Sequence, residues 1–254
     1  MNSPLQASTR QRLDDLLVQR GLFASRSRAR DAVERGTVTV DGAVARKPGQ
    51  NVLPDCLVVI DDPAQPYVSR AALKLIGGLD HFSLDPSGRE ALDIGASTGG
   101  FTQVLLERGV SHVTAIDVGH GQIHPHIGGD PRVTVIEGLN ARDLTAADLD
   151  GRVPDFIVSD VSFISLKLAL PPALALAKHG ALAVFLVKPQ FEAGREAIGK
   201  GGLLKDPYDA ARVAGTLQDW LDTLPGWRSL GLHLSPIDGG DGNREFLLGG
   251  IKDR

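Results

Sequence analysis

Five short apolar runs, at residues 90–94, 112–117, 132–137, 155–160 and 181–188, recur along the second part of the chain, and between most of them the apolar spacing becomes helical. A strand followed by a helix cannot pair with the next strand through a hairpin. The chain must cross over instead, which lays successive strands parallel and puts helices on both faces of the sheet. Strands covered on both faces read as continuous apolar stretches, as these do. An α/β fold follows, and a further helix is expected over 207–221. The last two strand-like runs, 228–235 and 243–249, have no helix between them and predict an antiparallel hairpin along one edge of the sheet.

Before residue 62 the pattern is different. An amphipathic helix over 12–20 ends at Gly21, and a second over 26–35, with Ser25 placed as its N-cap, ends at Gly36. A strand at 37–40 then runs into the Asp41-Gly42 turn, and another strand follows at 57–60. Asp61-Asp-Pro-Ala-Gln-Pro66 is turn-rich and stiff. The chain therefore divides into a small α+β domain over 10–61, a linker over 62–68 and a large domain over 69–254. A length of 254 residues, 42% of them hydrophobic and 23% charged, is enough for two cores.

A net charge of −4 excludes a uniformly basic nucleic-acid binder. Between Arg10 and Lys47, however, nine Lys and Arg stand against five acids. Arg26, Arg28, Arg30 and Arg35 recur on the second helix, with Arg12, Arg46 and Lys47 nearby, a grouping that suits either a phosphate backbone or a solvated helix face. The single cysteine, Cys56, excludes an intrachain disulfide and any multi-cysteine metal site, and fits a reducing compartment. No apolar run reaches the roughly 18 residues that span a bilayer. Met1-Asn-Ser-Pro-Leu-Gln lacks the apolar stretch of a signal peptide, so a cytoplasmic protein without a membrane partner is expected. His120-Gly-Gln-Ile-His124-Pro-His126 has spacing that invites a metal, but its proline and the lack of a matched carboxylate or cysteine read as a loop, and no metal is expected.

Chemistry concentrates where strands end. Asp93-Ile-Gly95-Ala-Ser97-Thr98-Gly99-Gly100-Phe101 reads as strand, turn and helix start, the unit that lets backbone approach a nucleotide. A dinucleotide fingerprint shares that first turn, and Asp117 at the end of the next strand would accept ribose hydroxyls in either case. Ser97 stands where a middle glycine would face a pyrophosphate, and Asp93 precedes the first glycine by two residues. Both features favour S-adenosylmethionine, which has no phosphate. Asn140 and Arg142 follow the third strand, where an adenine edge would lie. Asp160 ends the fourth strand and Lys188 the fifth, Lys74 is on a helix just before the sheet, and Glu245 falls within a strand pattern. A lysine at the end of an apolar strand must bury or pair its ammonium, and burial or a neighbouring cation lowers its pKa toward that of a useful base.

These stretches together resemble the TlyA family, named for haemolysin A, whose members join an S4 RNA-binding domain to a methyltransferase domain similar to the FtsJ (RrmJ) ribose methyltransferases. Arg12-Leu-Asp-Asp-Leu-Leu-Val, Ser25-Arg-Ser-Arg-Ala and Val40-Asp-Gly carry the S4 likeness. Tyr67-Val-Ser-Arg-Ala-Ala-Leu-Lys-Leu75, Asp93 to Thr102, Asp117-Val-Gly, Ser159-Asp-Val-Ser-Phe-Ile-Ser-Leu166, Val187-Lys-Pro-Gln-Phe-Glu192, Lys205-Asp-Pro207 and Asn243-Arg-Glu-Phe246 carry the rest. The resemblance implies a Rossmann-like methyltransferase sheet behind a small S4 domain. It also implies a catalytic tetrad of Lys74, Asp160, Lys188 and Glu245, S-adenosylmethionine as cofactor, and transfer to the 2′-hydroxyl of a cytidine in ribosomal RNA, with that RNA or a ribosomal subunit as partner. The chain departs from the family pattern at Ala71 and Ala72, where glycines are usual, and over His120 to His126.

On this reading Lys188 is the base or polariser of the hydroxyl, Asp160 orients it, Lys74 keeps its pKa low and Glu245 completes the network. Two other readings are carried: a non-catalytic RNA-binding assembly factor of the ribosome, and a cytolysin. The first leaves the tetrad without a purpose, and the second needs membrane-active segments.

Overall fold

In a computed structural model the described residues are 9–206 and 208–254. The expectation for the first six residues and the predicted helix start at Pro207 lie outside them. The chain forms two compact units, with the break between Pro66 and Tyr67.

The first unit runs β1 (Gln11–Arg12), α1 (Leu13–Gln19), α2 (Arg26–Arg35), β2 (Val38–Val40), β3 (Ala43–Val44), β4 (Asn51–Val52) and β5 (Val58–Ile60). Leu13, Leu16 and Leu17 on α1 and Ala29, Ala32 and Val33 on α2 are spaced three and four apart, so each helix buries one face, and these meet Val38 and Val40 in a single core. The Ser25 hydroxyl caps α2 by accepting the Arg28 N–H at 3.3 Å. Between β2 and β3, Asp41 (φ 49°) and Gly42 (φ 82°) both adopt the left-handed conformation that a two-residue hairpin requires. Strands β3, β2 and β5 make an antiparallel sheet, and β1 pairs with β4. The β1–β4 pair is two residues long, too short to leave an alternation in the sequence.

The second unit runs α3 (Ala72–Phe82), β6 (Glu90–Ile94), α4 (Gly100–Glu107), β7 (His112–Asp117), α5 (Pro125–Gly128), β8 (Val133–Glu137), β9 (Phe156–Ser159), α6 (Leu166–Ala169), α7 (Pro171–Leu176), β10 (Leu182–Val187), α8 (Pro189–Glu192), α9 (Asp209–Thr223), β11 (Trp227–Leu234) and β12 (Phe246–Lys252). Its sheet has the order β11-β12-β10-β9-β6-β7-β8. Strands β6 to β10 are parallel, and β12 is antiparallel to both β10 and β11. The hairpin thus takes one edge, with its reversed strand on the inside.

Alternate residues of the central strands feed two cores. Leu92, Ile94, Ile157, Phe185 and Val187 join Leu217 and Leu221 of α9 and Trp227 on one face. Ala91, Phe156, Val158, Val184 and Leu186 join Leu75 and Leu79 of α3 and Phe101, Val104 and Leu105 of α4 on the other. A fully buried leucine or phenylalanine contributes about 1.5–3 kcal/mol, and a one-residue slip would exchange the two sets, so burial on both faces fixes the register. By the same alternation Asp93 points toward α4, a carboxyl in an otherwise apolar strand.

One difference from expectation has a local cause. The strand expected over 243–249 starts at Phe246, because the buried Asn243 amide is engaged in the loop before it, donating to Gly202 O at 3.0 Å and accepting from Leu204 N at 3.4 Å. Glu245 therefore stands one residue ahead of β12. At the far end of that strand, the Lys252 ammonium donates to the carbonyls of Leu174, Ala175 and Ala177 at 2.7–3.2 Å, neutralising the exposed C-terminal carbonyls of α7. Lys252→Met keeps the stem and removes the donors. It should cost about 1–2 kcal/mol, read as a melting temperature lower by a few degrees with the fold unchanged.

Candidate active site

From β6 the chain steps to β7 and β8 on one side, and then to β9 and β10 on the other. Such a reversal opens a crevice at the carboxyl ends of the strands, here between β6 and β9. A cleft of about 850 Å³ lies there, within the range of small-molecule sites. Gly95, Ser97, Asp117, Asn140, Arg142 and Asp160 line it, with Val118, Phe163 and Leu168 as an apolar rim.

The turn after β6 fits a nucleoside-bearing cofactor. Gly95 has φ +83°, and a Cβ there would come within 3.0 Å of the Asp160 carbonyl oxygen, so the two strand exits approach as closely as they do only with glycine. Ser97 is also left-handed, at φ 47°. Asp117 holds this geometry: its Oδ2 accepts the Ser97 N–H at 2.8 Å and its Oδ1 the Gly119 N–H at 2.7 Å. A carboxylate has about four acceptor positions, so it keeps capacity for ribose hydroxyls. Asn140 accepts from the Arg142 backbone N–H at 3.1 Å and shapes the turn after β8, leaving Arg142 exposed beside the cleft.

The remaining turn residues divide. Thr98, Gly100 and Phe101 border a smaller cavity of about 70 Å³ that also touches Ser69, Gly95, Ser97 and Asp160. Phe101 is otherwise part of the core under α4. Gly99 packs against Ile123 and Ile127. Asp93 lines neither cavity. It is wholly buried, its Oδ2 accepts the Thr102 hydroxyl at 2.6 Å, and its Oδ1 has no partner. Burial, reinforced by the charges of Asp160 and Asp117 and opposed by the Thr102 hydroxyl, pushes its pKa up to about 7.

The four tetrad positions form two ion pairs. Lys188 Nζ stands 2.6 Å from Asp160 Oδ1 and donates to Ser162 Oγ at 2.8 Å. Lys74 Nζ donates to Glu245 Oε2 at 2.5 Å, with both side chains almost wholly buried. The first pair joins the ends of adjacent parallel strands at the rim of the cleft. The second ties α3 to the start of β12, so the Lys74 charge is matched by a carboxylate of its own. Asp160 borders both cavities and is the point where cleft and ion pair meet.

The arginines of the first unit do not make one row. On a helix, residues 26 and 30 share one face and residues 28 and 35 the opposite one. Arg26, with Arg12, pairs with Asp14 at 3.2 and 2.8 Å, and Asp14 is held at a pKa of about 2, chiefly by its hydrogen bond from Arg12. Arg35 is turned inward, bidentate to Asp62 at 2.7 and 2.8 Å and bonded to Asp31 at 2.9 Å. Arg28 donates to the Ala64 and Gln65 carbonyls. Arg30, Arg46 and Lys47 are exposed and, among the described residues, pair with no carboxylate, although the Arg46 guanidinium lies against Gly36.

Sequence reasoning missed several contributors. Ser162, Thr102 and Asn243 are small polar residues that matter only through the partner each meets in space. Phe163 reads as a core residue, yet it is 90% exposed at the cleft rim. Glu192, which accepts the Ser165 hydroxyl and the Leu166 N–H, left a signal in its place at the end of the short helix that Lys188 precedes.

A family model described as FtsJ-like methyltransferase matches residues 67–252, and one described as S4 domain matches residues 11–55. The chain is 46% identical to the 16S/23S rRNA (cytidine-2'-O)-methyltransferase TlyA of Mycobacterium tuberculosis, over 94% of its own length and 89% of that protein's. It is 36% identical to Hemolysin A of Brachyspira hyodysenteriae, over 93% and 98% of the two chains. A solved structure of a protein described as a hemolysin from Streptococcus thermophilus superposes with a TM-score of 0.74 at 39% identity, covering 97% of this chain and 90% of that one.

Proposed function

Because the chain belongs to the FtsJ-like methyltransferase family and carries an S4 domain at its N-terminal end, we propose that it transfers a methyl group from S-adenosylmethionine to the 2′-hydroxyl of a cytidine ribose in ribosomal RNA. The observation that carries this reading is the Lys188–Asp160 ion pair at the ends of two neighbouring strands, directly beside the cleft. The cofactor, when bound, supplies an electrophilic methyl group on a sulfonium. What the chain must then do is align a hydroxyl with that methyl and take its proton.

Lys188 is the group that takes or polarises the proton: as the neutral amine its Nζ would accept the hydroxyl proton, and as the ammonium paired with Asp160 it would polarise the hydroxyl. Asp160 and Ser162 hold that nitrogen in place. Asp117 holds the cofactor ribose, and the turn from Gly95 to Thr98 gives the close backbone approach. Lys74 and Glu245 fix α3 against β12 as a matched pair. The exposed Arg30, Arg46 and Lys47 of the S4 unit are the cations placed to meet RNA phosphates, with Arg12, Arg26, Arg28 and Arg35 shaping the surface that displays them. Ribosomal RNA as substrate puts the site of action in the cytoplasm. Among the described residues no helix is long and apolar enough to cross a membrane.

The test supplies methyl-labelled cofactor and purified small and large ribosomal subunits separately, then digests the RNA to nucleosides. Label in 2′-O-methylcytidine is the expected result. Label on a base, or none in RNA, would overturn the reading, the second outcome leaving a binding factor without catalysis.

A further inference from the structure

The chain leaving β9 has a segment that ought not to hold its shape unaided. Phe163 sits at φ 65°, a left-handed conformation that a bulky side chain adopts only under constraint, and its ring is 90% exposed, in contact with Phe191 at a centroid distance of 5.0 Å. Asp160 and Ser162, the two residues that hold Lys188, lie at the beginning of this segment. Their placement therefore depends on whatever fixes its ends.

Both side-chain clamps bracket one helix, α8. At the near end, the Asp160 N–H donates to Ile94 O at 3.0 Å, and Lys188 reaches Asp160 and Ser162. At the far end, the Glu192 carboxylate accepts the Ser165 hydroxyl on Oε2 at 2.5 Å and the Leu166 N–H on Oε1 at 2.8 Å. Lys188 immediately precedes α8 and Glu192 ends it, with Pro189 stiffening the first turn. The separation of the two clamps is thus set by a single turn of helix. Burial raises the Glu192 pKa, against the opposing pull of the Ser165 and Leu166 donors. A charged acceptor for two donors makes the stronger kind of hydrogen bond.

We propose that Glu192 is a positioning residue for methyl transfer: by pinning Ser165 and Leu166 it holds the strained segment so that Asp160 and Ser162, which line the cleft, keep the Lys188 nitrogen in place beside it. The proposal rests on the methyl-transfer reading. It differs from a general role in stability because the loss should fall on turnover. A displacement of about 1 Å in a reacting group can cost on the order of 100-fold in rate.

Three variants test it: Glu192→Ala removes both acceptors, Ser165→Ala removes one donor, and Glu192→Gln can still accept from Leu166 N–H while donating to the Ser165 oxygen. Glu192→Ala should lower kcat by about 10- to 100-fold while KM for RNA stays near that of the unmodified protein. Ser165→Ala should fall between, and Glu192→Gln should recover most of the lost rate. Hydrogen exchange should accelerate over residues 160–168 in Glu192→Ala and stay unchanged elsewhere. An unaltered kcat in Glu192→Ala, a Glu192→Gln variant as slow as Glu192→Ala, or accelerated exchange spread over the whole chain would each overturn the proposal. Should the unmodified protein transfer no methyl group, the functional reading fails. The clamp is then decided by exchange alone, and unchanged exchange over 160–168 refutes it.

Discussion

Lys188→Met should reduce methyl transfer by about 10²–10⁴-fold, the range for loss of a positioned proton acceptor, while cofactor affinity stays within about twofold. The side chain does not line the cleft, and methionine keeps the apolar stem that fills the end of β10. What disappears is the nitrogen between Asp160 and Ser162. Asp160 Oδ1 is shut off from water, but the side chain as a whole is 18% exposed, so part of the carboxylate left behind stays hydrated and the fold should survive. Lys188→Arg separates base from cation. Guanidinium stays charged at every pH the protein tolerates and cannot accept the hydroxyl proton. An arginine variant as slow as the methionine variant assigns the proton to Nζ, whereas near-normal turnover in it would reduce Lys188 to an electrostatic role. Single-turnover transfer to RNA together with calorimetric titration of the cofactor reads both halves.

Parts of this site were legible in the chain for a physical reason. The parallel sheet is written in strands buried on both faces, and runs such as 181–188 have no other comfortable place. The ends of those strands follow directly, and so does the meeting of Asp160 and Lys188, because β9 and β10 are neighbouring parallel strands whose exits stand side by side. Pairings across the fold were not legible. Lys74 and Glu245 are 171 positions apart, and only the antiparallel insertion of β12 beside β10 brings Glu245 to α3. The basic helix was misleading in a different way. Arg26, Arg28, Arg30 and Arg35 cluster in sequence, but a 3.6-residue period divides them between two faces; Asp14 engages Arg26, Asp31 and Asp62 engage Arg35, and Arg28 donates to the Ala64 and Gln65 carbonyls. Counting charges did not reveal which ones the fold had already matched.

The Lys74–Glu245 pair makes the second large prediction, because its two charges are taken almost wholly out of water. Breaking such a pair from one side leaves an uncompensated buried charge, at a cost of about 3–5 kcal/mol. For a chain of this size that lowers the melting temperature by roughly 10 °C. Lys74→Met should show this loss, and Glu245→Gln a smaller one, since the amide oxygen can still accept from the Lys74 ammonium. Removing both charges, as Lys74→Met with Glu245→Leu, should restore most of the stability, because well-packed apolar residues commonly replace a buried ion pair without penalty. Stability and catalysis then separate. If the pair acts in methyl transfer as well as in packing, the double variant melts close to the unmodified protein and still turns over about 100-fold more slowly, the scale of a misplaced reacting group. Turnover that returns together with stability would assign the pair to the scaffold alone, and leave Lys188 and Asp160 as the whole of the proton-handling machinery.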